Sequence, residues 1–213
     1  VSTVKSPIAL ARAVMEDSPH VMLAGAGAEA FALERGFDPV PAEYFATERR
    51  RQALEAYKAN EQAGLKSEAD HKFGTVGVAV LDQTGNLVAG TSTGGMTGKR
   101  WGRVGDSPVI GAGTYADNRS CAVSATGHGE YFIRHTVARD ICARMQFGGV
   151  TLEEAASTVV MEELVAAAGE GGVVAVDPAG RVALVFNTPG MYRASIDAAG
   201  RKVVAIYGED ETP

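Results

Sequence analysis

An α+β fold with mainly antiparallel sheets is what this sequence predicts, on three observations. Two hairpin patterns, over residues 75–92 and 172–186, lie either side of two helical patterns. Glycine is in excess, with 26 in 213 residues against an ordinary ~7%, as many tight turns and close backbone approaches require. No internal repeat or low-complexity segment interrupts the pattern.

Ser6 before Pro7 reads as an N-cap and a first helical position, opening a helix to about Met15. The short apolar run Val21 to Gly27 reads as a strand entering a turn. Pro39 and Pro41 interrupt the chain, and Ala42 to about Asn60 has the charged composition of a solvated helix. Residues 60–73 are polar and read as a mobile linker. At Gly74 the text turns apolar and β-branched. Thr75 to Asp82, a four-residue turn Gln83 to Asn86, and Leu87 to Ser92 form the first hairpin. Helices follow over about Gly129–Gln146 and Thr151–Ala168, the second opened by a capping box of Thr151 and Glu154. Gly172 to Asp177 and Val182 to Phe186, joined by Pro178-Ala179-Gly180, form the second hairpin.

Hydrophobic residues at 46% and charged residues at 22% suffice for a sizeable core and exclude wholesale disorder. A net charge of -6 argues against a nucleic-acid or anionic-membrane partner, since both favour basic surfaces. No apolar run approaches the ~20 residues of a membrane span, and no signal peptide is evident. Cys121 and Cys142 lie in apolar surroundings and read as buried, unpaired small hydrophobes.

Four segments can carry chemistry. At Gly74-Thr75 a polar stretch runs into a strand that opens on threonine. The Thr75 hydroxyl can attack the uncrowded Gly74 carbonyl, and the cut frees an α-amine with a pKa of ~7.7–8.0 to act as base for the same hydroxyl. The plain alternative is that Thr75 merely begins a strand. Thr91-Ser92-Thr93-Gly94-Gly95-Met96-Thr97 brings hydroxyls and glycines to a strand end, as a nucleophile site or as an ordinary turn. In Gly102-Arg103-Val104-Gly105-Asp106-Ser107-Pro108, Arg103 suits a carboxylate and Asp106 an ammonium, a grip for the zwitterionic end of an amino acid. A mutual surface ion pair between the two is the alternative. In Ala125-Thr126-Gly127-His128-Gly129-Glu130, small residues before a helix expose N–H groups that suit an oxyanion hole. His128 there has no nucleophile and acid partner set and reads as a loop or substrate-side residue rather than a general base.

In this order the segments resemble one family, the plant-type L-asparaginases or isoaspartyl peptidases. The likeness extends to Ser18-Pro19-His20-Val21-Met22, Gly111-Ala112-Gly113-Thr114-Tyr115-Ala116-Asp117 and Phe186 to Arg193, nearly the whole chain. It implies a four-layer αββα sandwich of the N-terminal-nucleophile hydrolase type, cut into an α part ending at Gly74 and a β part of residues 75–213, together one domain, and assembled as an (αβ)₂ dimer. By resemblance, Thr75 is the nucleophile and Thr93 tunes it. Arg103 binds the substrate α-carboxylate and Asp106 its α-amine. Thr126 and Gly127 form the oxyanion hole, with Gly127 and Gly129 lining the substrate pocket. The implied reaction is hydrolysis of L-asparagine and β-aspartyl dipeptides with no catalytic cofactor. The chain opens on Val1 rather than methionine, and the resemblance places before it a further N-terminal region carrying a structural sodium site. A glycosylasparaginase-like amidase and a catalytically silent relative are the competing expectations.

Overall fold

Four antiparallel β-hairpins organise the described residues, and three of them close on the same five-residue turn. Of these three, strands β1 (Val76–Leu81) and β2 (Leu87–Ser92) form the first, β5 (Gly171–Val176) and β6 (Val182–Phe186) the second, β7 (Gly190–Ile196) and β8 (Lys202–Tyr207) the third. Each turn opens on an aspartate whose Oδ1 accepts two backbone N–H groups, from Thr84 and Asn86 for Asp82, from Ala179 and Arg181 for Asp177, and from Ala199 and Arg201 for Asp197. The fourth position is a glycine with φ of +87° at Gly85, +77° at Gly180 and +78° at Gly200, a conformation that costs other residues. The pairing of Leu81 with Leu87 makes the first loop one residue longer than the sequence pattern suggested.

The computed structural model describes residues 1–65 and 74–208 and divides into two compact units, Val1–Lys72 with Met96–Gly102 and Phe73–Gly95 with Arg103–Pro213. The first unit carries helices α1 (Pro7–Asp17), α2 (Gly25–Glu34) and α3 (Glu48–Gln62), with a 3₁₀ turn at Ala42–Phe45. Val4, Leu10 and Ala32 form its small core. The strand expected from Val21 is corrected, since the alanines from 24 to 32 continue a helix and Ala28 and Ala32 are buried one turn apart. Ser6 precedes α1 but makes no side-chain cap hydrogen bond, whereas Thr47 caps α3 by accepting from Arg50 N. No α3 residue is buried, as its composition requires. The helix also takes in residues 60–62 of the expected linker, and residues 66–73 lie outside the described residues. The segment Met96–Gly102 is tied to α3 by Arg50 Nη2 donating to Thr97 Oγ1, by the Arg100–Glu61 ion pair, and by the Tyr57 ring lying against Gly98.

The second unit is layered around a four-stranded antiparallel sheet of order β3-β4-β5-β6, where β3 is Thr114–Ala116 and β4 is Ala122–Gly127. Alternation along β4 sorts its side chains to two faces. Val123 and Ala125, with Val173, Ala175, Ala183 and Val185, face a helical layer and form the main core with Phe132, Ile141, Leu152 and Leu164. Ala122 and Val176 face the β1–β2 hairpin and pack with Leu87. Ser124 faces the same way. Its hydroxyl lies 2.6 Å from Thr91 Oγ1, and it occupies the space that a Cβ at Gly77 would need.

The helical layer holds α4 (Gly129–His135), α5 (Val137–Gly148) and α6 (Leu152–Ser157), which continues through a π-helical turn, Thr158–Glu163. The capping box of Thr151 and Glu154 is present. The single helix expected over 129–146 breaks at Thr136, which is left-handed at φ +47°. The break frees α5 to donate its first N–H groups to the loop, Ala138 N to Ala112 O and Arg139 N to Gly111 O. Cys121 and Cys142 are fully buried, yet they are joined in a disulfide with Cα atoms 5.4 Å apart. The reading of them as unpaired is therefore corrected. Docking of α5 under the start of β4 brings together two positions that 21 residues of chain separate. Among the described residues no helix is long and apolar enough to cross a membrane.

Candidate active site

Thr75 stands one residue before β1, half-buried, at the end of the strand where Val76 pairs with Ser92. That register sets Thr93 beside it. Thr75 Oγ1 donates to Thr93 Oγ1 at 3.3 Å, and Gly95 N donates to the same oxygen at 3.1 Å. Thr93 Oγ1 thus accepts from two donors, which orients the hydroxyl of the neighbouring threonine. The contact is longer than a well-formed O–H···O bond. In the uncut chain the nitrogen of Thr75 is a peptide amide and cannot serve as a base.

Arg103, Asp106 and Gly129 come together as a second cluster. A Cβ at Gly129 would lie 2.8 Å from Asp106 Oδ1 and 3.0 Å from Arg103 Nη2, so only glycine leaves room between the charged groups. Asp106 is 6% exposed, and among the described residues its Oδ2 has no hydrogen-bond partner. Burial pushes its carboxyl up to about 6, with partial relief from its backbone hydrogen bonds and from Arg103. A buried carboxylate left unpaired is costly unless a ligand completes it.

Arg103 does not spend itself on Asp106. Its guanidinium meets Glu130 side-on, with Nε 2.8 Å from Oε1 and Nη2 2.7 Å from Oε2. These hydrogen bonds hold Glu130 down at about 2 and raise Arg103 above its ordinary value. The mutual surface pair of Arg103 and Asp106 is replaced by a partly buried pair of Arg103 and Glu130. Glu130 is the site residue to which sequence reasoning assigned no role. Its partner lies 27 positions away, a separation no local pattern spans.

Thr126 and Gly127 end β4, paired with Gly172 and Gly171. Thr126 shares the hairpin-facing side of β4 with Ser124, which lies against Gly77 of the strand that Thr75 leads. Gly127 admits no side chain, because a Cβ would meet Glu170 O and Phe132 Cε2 at 2.5 Å. His128 N donates to Glu170 O, and its ring lies edge-on to Tyr131 with Nε2 3.4 Å from Glu130 Oε2. His128 is thus directed to the Arg103 cluster, and its backbone N–H is taken.

Among the described residues no cluster of three or more His, Cys, Asp or Glu is placed to hold a metal ion. What the two clusters can do chemically is present an aimed hydroxyl in one and a paired set of opposite charges in the other.

Comparison with known proteins places these features in a lineage. The chain matches the family described as asparaginase over residues 1–206. It is 51% identical to an isoaspartyl peptidase of Escherichia coli (strain K12), across 98% of this chain and 67% of that protein. It is 42% identical to a putative isoaspartyl peptidase/L-asparaginase of Dictyostelium discoideum, across 92% of this chain and 65% of that protein. It is 41% identical to a probable isoaspartyl peptidase/L-asparaginase 2 of Arabidopsis thaliana, across 97% and 70% respectively. The chain spans about two-thirds of the length of these relatives.

Proposed function

This chain belongs to the asparaginase family, and on that premise we propose that it is a self-cleaving threonine amidohydrolase of L-asparagine and β-aspartyl dipeptides. The observation that carries the reading is the hydroxyl contact between Thr75 and Thr93 at the head of β1.

In maturation, Thr75 Oγ1 attacks the Gly74 carbonyl carbon, the peptide nitrogen leaves, and the acyl group passes from nitrogen to oxygen. Water then hydrolyses the ester, freeing the Gly74 carboxylate, the Thr75 hydroxyl and its α-amine. In turnover the amine takes the hydroxyl proton as the oxygen attacks the substrate side-chain carbonyl. Thr126 Oγ1 and Gly127 N–H hold the developing oxyanion. The amine's proton passes to the leaving group, so ammonia or an amino acid departs, and water releases aspartate from the ester. Arg103 holds the α-carboxylate, Asp106 the α-ammonium, and Gly129 leaves the space between them. Nucleophile, base and oxyanion donors all come from the chain, so no cofactor enters the chemistry.

The hairpin, four-stranded sheet and helical layer are three layers of the αββα sandwich we assign to the whole protein. Residues 1–74 belong to its α part and 75–213 to its β part, in an (αβ)₂ dimer. Mass measurement with N-terminal sequencing tests the reading: 213 residues should give pieces of 74 and 139, the second beginning Thr-Val-Gly-Val. An intact protein that releases no ammonia from asparagine would overturn it, and cleavage of N-glycosylated asparagine alone would favour the glycosylasparaginase alternative.

A further inference from the structure

We propose that Glu130 is a positioning residue for substrate recognition. It clamps one edge of the Arg103 guanidinium, so that the opposite edge faces the α-carboxylate and Asp106 stays open for the α-ammonium. The inference rests on the amidohydrolase reading above and concerns a residue that this reading does not use.

Arginine carries five N–H donors in a planar fork with two edges that can each hold a carboxylate. Glu130 occupies the Nε–Nη2 edge with both its oxygens. One N–H on Nη2 and both on Nη1 remain. Those atoms are the ones turned toward the glycines of the site. Nη1 lies over Gly105, where a Cβ would be 2.8 Å away, and Nη2 lies over Gly129. A side chain at either position would fill the approach to the free edge. The glycines therefore keep open the edge that Glu130 leaves unused.

The clamp also settles a competition. Arg103 is the cation whose charge acts on Asp106, and without another acceptor the guanidinium would turn to it. The two would then neutralise each other and lose the separate charges that a zwitterion needs. With Glu130 in place, Asp106 Oδ2 has no hydrogen-bond partner among the described residues, although the residue is only 6% exposed. A buried acceptor with no partner, one glycine away from a guanidinium with a vacant edge, matches an α-amino acid head group. His128 Nε2 also lies 3.4 Å from Glu130 Oε2, the oxygen that Arg103 Nη2 meets.

The test uses the processed protein and the variants Glu130→Gln and Glu130→Ala. Steady-state kinetics are measured on L-asparagine, with L-aspartate and β-alanine as competing inhibitors. β-Alanine is aspartate without its α-carboxylate, so the ratio of the two inhibition constants reads Arg103 alone. Both variants should raise KM for asparagine about tenfold to a hundredfold, the scale of a displaced binding group, and lower kcat by less. The preference for aspartate over β-alanine should collapse by at least tenfold. In Glu130→Gln the acid limb of kcat/KM should also move to lower pH, because Asp106 loses a negative neighbour and gains the guanidinium. A merely structural role would move neither the inhibitor ratio nor the limb. Should Glu130→Ala fail to fold, the near-isosteric Glu130→Gln decides. An unchanged ratio in active, folded Glu130→Gln overturns the positioning role while leaving the amidohydrolase reading intact. A wild type that neither hydrolyses asparagine nor binds aspartate by calorimetry overturns both.

Discussion

Thr75 Oγ1 and Thr93 Oγ1 lie 3.3 Å apart because the antiparallel register of β1 and β2 sets one beyond each strand end. Replacing Thr93 by alanine should therefore slow both autocleavage and hydrolysis by roughly 10² or more, the scale for losing one polar group at a reacting oxygen. Thr93→Ser, which keeps the hydroxyl, should restore most of it. Thr75→Ala should leave an uncut chain with no ammonia release. Residual hydrolysis in that variant would remove Thr75 as the nucleophile.

Asp106 yields a pH prediction in two parts. Its carboxyl, pushed up to about 6 by burial, must be ionised to hold an ammonium, so kcat/KM should fall as one proton binds below about pH 6. Asp106→Asn should lack that limb. For stability, a folded pKa above the unfolded ~3.9 means that ionisation costs the folded state. The unliganded wild type should gain on the order of 1 kcal/mol relative to Asp106→Asn between pH 7 and 5. Denaturant melts at the two pH values measure it, and an equal pH response in both proteins would refute the assignment.

The buried Cys121–Cys142 disulfide closes a separation of 21 residues. On chain-entropy grounds such a loop is worth about 3 kcal/mol. Thiol titration of the denatured protein without reductant should find no free thiol, and the Cys121→Ala/Cys142→Ala pair should be destabilised by about that amount in urea.

Gly77 against Ser124 offers a packing test. Gly77→Ala places a methyl where the serine hydroxyl lies, and overpacking of this kind costs about 1–3 kcal/mol. Adding Ser124→Ala should recover part of the loss. A simple sum of two destabilisations would mean that hairpin and sheet are not in contact there.

Local chemistry made the first two hairpins, the capping box and the solvated third helix readable, because turn, cap and alternation are written within a few residues. The elements misjudged depend on partners far along the chain. Helix α2 has glycines in its first turn, which masked its alanines. Strand β4 carries Ser124 and Thr126 on the face toward the hairpin, so its apolar alternation is half hidden. Thr136 turns left-handed only because the loop at 111–112 accepts the N–H groups of α5. The residue types of the site were legible one by one, whereas the pairing of Arg103 with Glu130 follows from topology alone.

The ties between α3 and Met96–Gly102 bear on what cutting achieves. The Arg50–Thr97 hydrogen bond, the Arg100–Glu61 ion pair and the packing of Tyr57 on Gly98 each join a residue before Gly74 to one after Thr75. Breaking the peptide bond between these positions severs the covalent thread but none of these contacts. On the proposed cut, the two pieces would keep these contacts between them. A new amino terminus at Thr75 would then leave residues 1–65 still in contact with Met96–Gly102.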